Sequence, residues 1–533
     1  MTSVPKNTHK LLVSAGAGII LTLCFVYVLL APEASTDMFS NLKNYIAHKF
    51  AWFYMGSVAL FISILIFSAC SRVGDLRLGK DNERPEFSGF AWGSMLFSTG
   101  MGIGLVFFGV AEPVMHYMNP PIVEAQTDVA VREAMNITFF HWGINAWAIY
   151  TIVALVISYA AYRKGRPLEM RSAFYPIFGE RINGPLGVAI DVFAVLATVV
   201  GIVTPLGFGV QQINAGLNYV LGFEISTGNQ IVLITIIGVM TCISLVLGLK
   251  KGIKALSLIN ICVAIGLMTY VFLASNTTFI LNSTVENVGN YLASFVPLSF
   301  DTYSFTNPDW FYGWTLFYWA WWIAFAAPTG LFIARISRGR TIREFVVGVL
   351  VIPVGFSFAW LTIFGNSALD LIHNQGIEEL STAVMTNSSS ALFKFFELVS
   401  DWSLPSYLAL FSIFVFFITT SDSGTLVINT LTSKDEDNAP ISQRIGWVIA
   451  ISGITSLLLM SGGMTAIQSL LVIMGCPFAI MVTMMSYGFM KSVYLEVYAP
   501  ATKTRGAELD EVIRKAEQTE IEYRKAQVIH GGK

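Results

Sequence analysis

The sequence has few charged residues. Lys, Arg, Asp and Glu make up 12% of its 533 residues, whereas soluble domains carry about 25%. Apolar residues account for 54% of the chain. This imbalance excludes an ordinary soluble domain and indicates a membrane protein.

Cysteine and the motifs of catalysis are also scarce. Four of the five cysteines lie inside apolar runs and Cys70 ends one, so no extracellular disulfide framework is expected. We find no cluster of His and Cys with metal-ligand spacing, no nucleophile elbow and no phosphate-binding loop. His141 stands alone beside Trp142, which is typical of a structural histidine with satisfied hydrogen bonds. The sequence therefore predicts no enzyme and no cofactor.

What the chain does contain is a series of apolar runs of roughly twenty residues, the length that crosses a hydrocarbon core of about 30 Å. Twelve such runs predict twelve transmembrane helices in an all-α integral membrane protein. The predicted spans are 11–31, 50–70, 88–112, 139–162, 185–220, 229–248, 255–280, 310–334, 344–365, 403–430, 445–461 and 465–490. The fifth is long for one straight span, so we expect it to tilt or break near Thr204 and Pro205.

The basic residues predict the orientation of these spans. Lys and Arg accumulate in the cytoplasmic loops of membrane proteins. With the N-terminus inside, 28 of the 32 Lys and Arg residues fall on the cytoplasmic side, and none lies within a predicted span. The four on the outside are Lys43, Lys49, Arg132 and Lys394. Both termini are therefore predicted to be cytoplasmic.

The third span, "FSTGMGIGLVFFG", has Gly100, Gly102 and Gly104 at alternate positions in an apolar run. A helix-packing stripe would need only glycines four residues apart, so packing explains the pattern in part. Alternate glycines suit an unwound segment whose backbone lines a site, because unpaired backbone groups are tolerated in membranes only there. Both interpretations remain open from this segment alone.

The fourth span, "FFHWGINAWAIY", places Trp142, Trp147 and Tyr150 on one arc about 140° wide if the helix is regular. Such an arc of aromatic rings could face one cavity. An interfacial aromatic belt is the alternative for Trp142, but Trp147 and Tyr150 lie deeper than a belt extends.

The eighth span, "GWTLFYWAWWIAF", holds four of the twelve tryptophans. Trp310, just before it, and Trp314 could belong to an outer belt, whereas Trp319, Trp321 and Trp322 lie deeper and could be core packing. Together with the third and fourth spans, however, they predict aromatic walls beside exposed backbone. Aromatic cages hold quaternary ammonium groups through cation–π attraction, so a methylated ammonium substrate is the hypothesis.

The tenth span ends in "FFITTSDSGT", in which Thr419, Thr420, Ser421 and Asp422 follow two phenylalanines. Hydroxyl and carbonyl oxygens are the hard ligands that a small alkali cation prefers, by the logic of calcium and magnesium sites. The alternative is that these hydroxyls bond back to helix carbonyls while Asp422 caps the helix on the cytoplasmic side. Asp191 and Glu112, at the ends of their spans, are expected to be cap or loop partners.

Taken together, these segments form a highly specific sequence signature. "GWTLFYWAWW" followed by "ARISRGRTIREF", with "GMGIGL" and "HWGINAWAIY", closely resembles the bacterial betaine/carnitine/choline transporter family over all twelve spans. The resemblance implies a LeuT-like fold of two inverted five-helix repeats preceded by two extra helices. It also implies that the first helix of each repeat, here the third and eighth spans, is discontinuous.

The resemblance assigns regions and residues. It implies a tail with two peripheral helices (1–86), a first repeat (87–280), an extracellular connection (281–309), a second repeat (310–490) and a cytoplasmic tail (491–533). The implied aromatic box comprises Trp142, Trp147, Tyr150 and Trp322, with Trp321 on the release route and the substrate carboxylate near the backbone of Gly100, Met101, Gly102 and Gly104. The implied sodium ligands are the carbonyls of Ser98, Met101 and Phe416 and the hydroxyls of Thr419 and Thr420.

Three features bear on the substrate and the coupling ion. Proton-coupled choline carriers of the family resemble this segment but have aspartate where this chain has Gly104, so glycine favours a zwitterion that brings its own carboxylate. Sodium-independent exchangers of the family have an arginine in the seventh span, whereas residues 255–280 contain neither Arg nor Lys. Phe325 replaces a tryptophan that is common in sodium-coupled betaine carriers, which leaves substrate preference open.

The resulting prediction is sodium symport of a quaternary ammonium osmolyte, most simply glycine betaine, across a bacterial inner membrane by alternating access. Alternatives are proton- or sodium-coupled transport of choline, dimethylsulfoniopropionate or carnitine, and a substrate-gated channel or receptor on the same fold. Expected partners are the small substrate, lipid and, by resemblance, two further copies in a homotrimer. No nucleic-acid partner is expected.

Overall fold

The computed structural model describes residues 5–100, 102–247, 250–433 and 439–499. Within these stretches the regular structure is helical, apart from one isolated bridge between Arg77 and Thr341. The all-α prediction is therefore confirmed for the described residues. The α-helices are α1 (Lys6–Leu30), α2 (Pro32–Cys70), α3 (Gly89–Gly100), α4 (Ile103–Met118), α5 (Asp128–Trp142), α6 (Ile144–Ser158), α7 (Tyr175–Phe178), α8 (Pro185–Leu221), α9 (Thr227–Leu247), α10 (Lys250–Ala274), α11 (Thr277–Phe300), α12 (Pro308–Gly313), α13 (Thr315–Ile336), α14 (Ile342–Leu361), α15 (Ser367–Leu369), α16 (Glu378–Thr386), α17 (Ala391–Val399), α18 (Leu404–Thr432) and α19 (Ile441–Val497).

In the described stretches, ten helical segments are long and apolar enough to cross a membrane, or eleven if the bent pair α3 and α4 is one span. The difference from the predicted twelve lies in α19, whose 57 residues contain both of the last two predicted spans. Gly463 interrupts that helix at φ 58° and ψ −139°, a left-handed conformation that favours glycine. The chain is thus multi-pass, and the count of twelve stays a prediction.

Two helices at the centre of the fold are almost entirely buried. All residues of α6 except Ile144 are buried, and so are most residues of α13, which packs against α6, α8 and α19. Apolar side chains face outward instead on α1, α9 and α10, as expected for helices that contact lipid. Of the aromatic residues singled out in the sequence, these two helices carry Trp147, Tyr150, Trp319, Trp321 and Trp322, whereas Trp142 ends α5.

The structure contains some of the predicted helix breaks but not all of them. Between α3 and α4 the chain bends by 60°, and Gly102 there is extended. The eighth span, predicted as 310–334, is interrupted at Trp314, between α12 and α13, and is then helical from Thr315 to Ile336. The break near Pro205 is absent, because α8 continues through that residue.

The fourth span has a break that the sequence pattern did not reveal. Helix α5 ends at Trp142 and α6 begins at Ile144, with Gly143 between them at φ −92° and ψ −144°. A Cβ at Gly143 would lie 2.4 Å from the carbonyl oxygen of Phe139 and 2.8 Å from the Tyr291 hydroxyl. The amide of Ile144 donates to that hydroxyl at 3.0 Å, so a side chain from α11 satisfies the interrupted backbone.

A buried cluster of charges ties the N-terminal helix to the bundle. Lys10 Nζ lies 2.9 Å from Glu169 Oε1 and donates to the carbonyl of Thr430 at 2.9 Å. Arg171 bonds Glu169 at 2.7 Å, and Asp191 accepts from His9 at 2.8 Å and from the Arg171 amide at 3.2 Å. Asp191 is therefore a loop and terminal-segment partner, as predicted.

This cluster predicts a pH-dependent stability. Burial disfavours ionisation of Glu169, which lies in a loop outside the spans, but Lys10 and Arg171 outweigh it and hold the pKa of its carboxyl below the ordinary value. The ionised carboxyl therefore stabilises the fold fully above its pKa in the unfolded chain, near 4.5. This contribution is lost as the pH falls through the lower pKa of the carboxyl in the folded protein. We expect Glu169→Gln to lose about 3–5 kcal/mol of stability at pH 7, because Lys10 and Arg171 lose their buried partner.

The measurement is thermal unfolding in detergent between about pH 7 and about pH 3. The wild-type and Glu169→Gln melting temperatures should converge as the pH falls. Glu180→Gln, at a carboxylate that is 71% exposed, serves as the matched control and should track the wild type. Parallel curves for wild type and Glu169→Gln would contradict the assignment.

Candidate substrate and cation sites

A cavity of about 430 Å³ lies where the α3–α4 bend meets α6, α10, α13 and α18. Its walls contain nearly all of the residues that the sequence and the resemblance assigned. The structure brings together Ser98, Gly102, Gly104, Trp142, Trp147, Tyr150, Trp321, Trp322, Phe325, Phe416, Thr419 and Thr420. Gly100 is the last residue of α3, and Met101 lies outside the described residues.

Four aromatic rings form the box at this cavity. The Trp322 ring stands nearly perpendicular to Trp142, at 5.2 Å and 85°, and to Tyr150, at 5.5 Å and 82°. Trp147 meets Tyr150 at 5.5 Å and 87°. All four rings line the same cavity, and the faces of aromatic rings attract a cation. The arrangement can therefore hold a compact onium group that donates no hydrogen bond.

Trp321 packs beside the box. Its ring is stacked on Trp322 at 5.5 Å and 7°, and it contacts Phe208 at 5.5 Å. A Cβ at Gly104 would lie 2.7 Å from Trp321 and 2.9 Å from Trp142, so any side chain there would displace both indoles. Glycine at this position allows the backbone of α4 to reach the box. A role for Trp321 on the release route stays a prediction.

Phe325 lines the same cavity one turn beyond the box. Its ring lies 6.4 Å from Tyr150 and is half-buried. A phenyl face attracts a cation less than an indole does. At Phe325 the cavity wall is therefore apolar, and it attracts an onium group only weakly.

Hydrogen bonds hold the indoles in place. Trp322 Nε1 donates to the carbonyl of His141 at 3.0 Å, and Trp142 Nε1 donates to Glu112 Oε2 at 2.7 Å. His141 bonds Glu112 Oε1 through Nδ1 at 2.7 Å and Thr315 Oγ1 through Nε2 at 2.9 Å. His141 is thus the satisfied structural histidine that was predicted.

The prediction for Glu112 is wrong. It is neither a helix cap nor a loop partner, because α4 continues to Met118 and the Glu112 side chain is fully buried behind Trp142. The sequence signal that marks such a residue is an ionisable side chain within an apolar span, which is rare and usually functional. Its partners lie far away in sequence and could not be identified from the pattern.

The other tryptophans of the eighth span pack against protein to different degrees. Trp310 is 9% exposed and lies 5.3 Å from His116, and Trp314, which is partly exposed, lies 4.4 Å from the same ring. Trp310 therefore packs in the interior, whereas the belt interpretation of Trp314 stays a prediction. Trp319 is fully buried and donates to Met55 Sδ at 3.4 Å, as core packing predicts.

The same cavity is lined by residues of two elements to which the resemblance assigned sodium ligands. Ser98 comes from α3, and Phe416, Thr419 and Thr420 come from α18. The Thr419 hydroxyl lies 3.0 Å from the carbonyl of Val415 and 3.2 Å from that of Phe416. The alternative interpretation predicts these contacts between a hydroxyl and the carbonyls of its own helix. The hydroxyl is the donor in them, so its oxygen keeps lone pairs that a cation could use.

Asp422 does not cap the helix. Helix α18 continues ten residues further, to Thr432, so the predicted cap role is wrong. The four oxygen-bearing residues thus lie within a continuous membrane helix and at the bend of another. Hydroxyl and carbonyl oxygens are the ligand types that hard cations prefer.

Comparison with known proteins agrees with this architecture. The sequence model of the betaine/carnitine/choline family transporters matches residues 12–497. The chain is 44% identical to a glycine betaine transporter of Acinetobacter baylyi, over 90% of this chain and 72% of the relative. It is 42% identical to the glycine betaine transporter OpuD of Bacillus subtilis, over 90% and 93%. It is 39% identical to the high-affinity choline transport protein of Escherichia coli K12, over 92% and 72%.

A match that spans nearly the whole chain excludes a chance likeness of a few motifs. The relatives are transporters and not enzymes, in agreement with the absence of catalytic motifs noted in the sequence. The chain is a multi-pass membrane transporter of small molecules that belongs to the betaine/carnitine/choline transporter family.

Proposed function

We propose that this protein imports a quaternary ammonium osmolyte, glycine betaine in the first instance, by sodium symport and alternating access. The observation that carries the proposal is the box of Trp142, Trp147, Tyr150 and Trp322 around one cavity. A trimethylammonium group has a diffuse positive charge and no N–H donor, so aromatic faces are its natural partners. Two of the relatives named above are glycine betaine transporters, which supports the same class of substrate.

The carboxylate end of the substrate belongs at the bend between α3 and α4. Backbone amides of the glycine-rich segment, with Gly102 and Gly104 on the cavity wall, offer donors that an α-helix would otherwise use internally. No acidic side chain occupies position 104, so a substrate that carries its own negative charge fits better than a bare cation. This supports a betaine over choline.

Sodium is the proposed coupling ion. Ser98, Phe416, Thr419 and Thr420 supply oxygen ligands on the cavity wall, and Met101 is proposed to supply another. Residues 255–280 have no arginine or lysine that could replace a cation. One sodium ion moving through 100 mV releases about 2.3 kcal/mol, and its concentration gradient adds to this.

The finer organisation is proposed from the family resemblance. Residues 87–280 and 310–490 form two inverted five-helix repeats, preceded by two peripheral helices in 1–86 and joined by 281–309. Residues 491–533 form a cytoplasmic tail, so that both termini lie on the cytoplasmic side of the bacterial inner membrane. Three copies assemble as a homotrimer. Alternating access then rests on rocking of one repeat against the other around the midplane site.

The test is uptake of labelled glycine betaine and choline into proteoliposomes, with sodium or potassium outside. We expect saturable accumulation of betaine above the outside concentration only when sodium is outside. Equal uptake in both salts contradicts sodium coupling. Accumulation of choline driven by a proton gradient favours the proton-coupled alternative, and flux that neither saturates nor accumulates favours a channel.

A further inference from the structure

A carboxylate lies directly behind the aromatic box. Glu112 is in the middle of α4, where neighbouring side chains are apolar, and it is fully buried. Its Oε2 accepts from Trp142 Nε1 at 2.7 Å and from the Tyr318 hydroxyl. Its Oε1 lies 2.7 Å from His141 Nδ1 and 3.3 Å from His116 Nε2. The carboxylate is thus in direct contact with one wall of the box.

The surroundings of this carboxylate contain few charges. The titratable groups that face it are His116 on its own helix, His141 on α5 and Tyr318 on α13. Among the described residues, its ion pairs are with these two histidines alone, and no Lys or Arg reaches it. A carboxylate in this setting is expensive to bury, so packing alone does not explain it.

We infer that Glu112 is a positioning and specificity-determining residue that sets both the orientation and the electrostatics of the onium box. The inference rests on the proposed function, because it requires that the box receives a positive charge. An indole whose N–H donates to a carboxylate holds more electron density on its faces, which strengthens cation–π attraction. The field of the carboxylate adds to this, because Glu112 and Trp142 are both buried and the charge is weakly screened.

The hydrogen bonds of Glu112 and His141 also hold Trp322, a second wall of the aromatic box. His141 bonds Glu112 through one ring nitrogen and Thr315 through the other, so its segment of backbone is held at the end of α5. The carbonyl of His141 accepts from Trp322 Nε1 at 3.0 Å. Glu112 therefore acts on Trp142 directly and on Trp322 through His141, and these two rings meet at 5.2 Å.

Glu112→Gln tests the charge with little change of shape. We expect affinity for glycine betaine and for choline to fall about tenfold, because part of the cation–π attraction depends on the carboxylate. Affinity for 3,3-dimethyl-1-butanol, the uncharged carbon analogue of choline, should change less than about twofold. The measured quantity is inhibition of labelled betaine binding by each compound.

Glu112→Asp separates charge from packing. It shortens the side chain but keeps the negative charge, so betaine affinity should remain closer to wild type than in Glu112→Gln. A purely structural role predicts the reverse order, since Asp packs worse than Gln, and predicts equal losses for choline and its neutral analogue. Either result overturns the inference. Thermal unfolding in detergent establishes that each variant is folded, and Glu180→Gln at an exposed carboxylate should bind as wild type does.

Failure of this inference is distinguishable from failure of the proposed function. If Trp322→Leu abolishes betaine binding while Glu112→Gln leaves the ratio of choline to dimethylbutanol affinity unchanged, the box is right and the role of Glu112 is wrong. If Trp322→Leu leaves binding intact, the box itself is wrong.

Discussion

We expect the Trp322→Leu protein to lose specific binding of glycine betaine. Trp322 is the wall that meets both Trp142 and Tyr150 at nearly right angles, so its removal opens the box on the side of α13. Loss of one desolvated cation–π contact costs about 2 kcal/mol, or about 30-fold in affinity, and the opened cavity admits water and adds to this. Binding of labelled betaine to purified protein, measured up to millimolar concentrations, checks the result.

The controls isolate the ring from the fold. Trp322→Phe keeps an aromatic face and should retain a larger part of the affinity than Trp322→Leu. Trp402→Leu makes the same change at a tryptophan that is 71% exposed and away from the cavity, and should bind betaine normally. Trp322 also donates to the carbonyl of His141, so melting temperatures are compared to show that the variant remains folded. Unchanged affinity in a folded Trp322→Leu protein would disprove the box assignment.

Much of the box could be predicted from sequence because its residues are conspicuous. Deep tryptophans have few roles within an apolar span, and the family resemblance added the pairing of Trp142 with Trp322. The arc argument assumed a regular helix across Trp142, Trp147 and Tyr150. In the structure Gly143 interrupts that helix, and Trp142 reaches the box from the end of α5 instead.

Glu112 shows what the sequence could not provide. Its hydrogen bonds reach Trp142, 30 residues away, and Tyr318, 206 residues away, so they depend on how α4, α5 and α13 pack. Local patterns predict which residues share a helix face, but not which buried groups meet across three helices. The belt interpretation of Trp310, which is buried, fails for the same reason, since the position of a residue along a span does not show whether its neighbours are lipid or protein.

The helix breaks follow a similar rule. Glycines at alternate positions indicated the bend after α3 because they change local backbone preference. Pro205 also removes a backbone donor, yet α8 continues through it, and the Thr204 hydroxyl bonds the carbonyl of Val200 at 3.1 Å. Neighbouring helices on both sides hold α8 in place, which a single-residue propensity does not capture.

The proposed sodium site predicts a selective defect in Thr419→Val. Valine matches threonine in shape but lacks the hydroxyl, which lies 3.2 Å from the Phe416 carbonyl, another proposed ligand. Removing one oxygen from a cation should cost about 1.5–3 kcal/mol, by analogy with hydrogen bonds to charged groups, or roughly 10- to 100-fold in sodium affinity. Betaine uptake at saturating sodium should change little, because Thr419 is not part of the aromatic box.

The matched control for this change lies on the same helix. Thr425 is buried and bonds back to the Ser421 carbonyl at 2.8 Å, but it does not line the cavity. If the Thr419 hydroxyl serves only as a back-bond, Thr419→Val and Thr425→Val should behave alike. If it is a sodium ligand, only Thr419→Val shifts the sodium concentration that gives half-maximal betaine uptake, and that shift is the measurement that decides between the two interpretations.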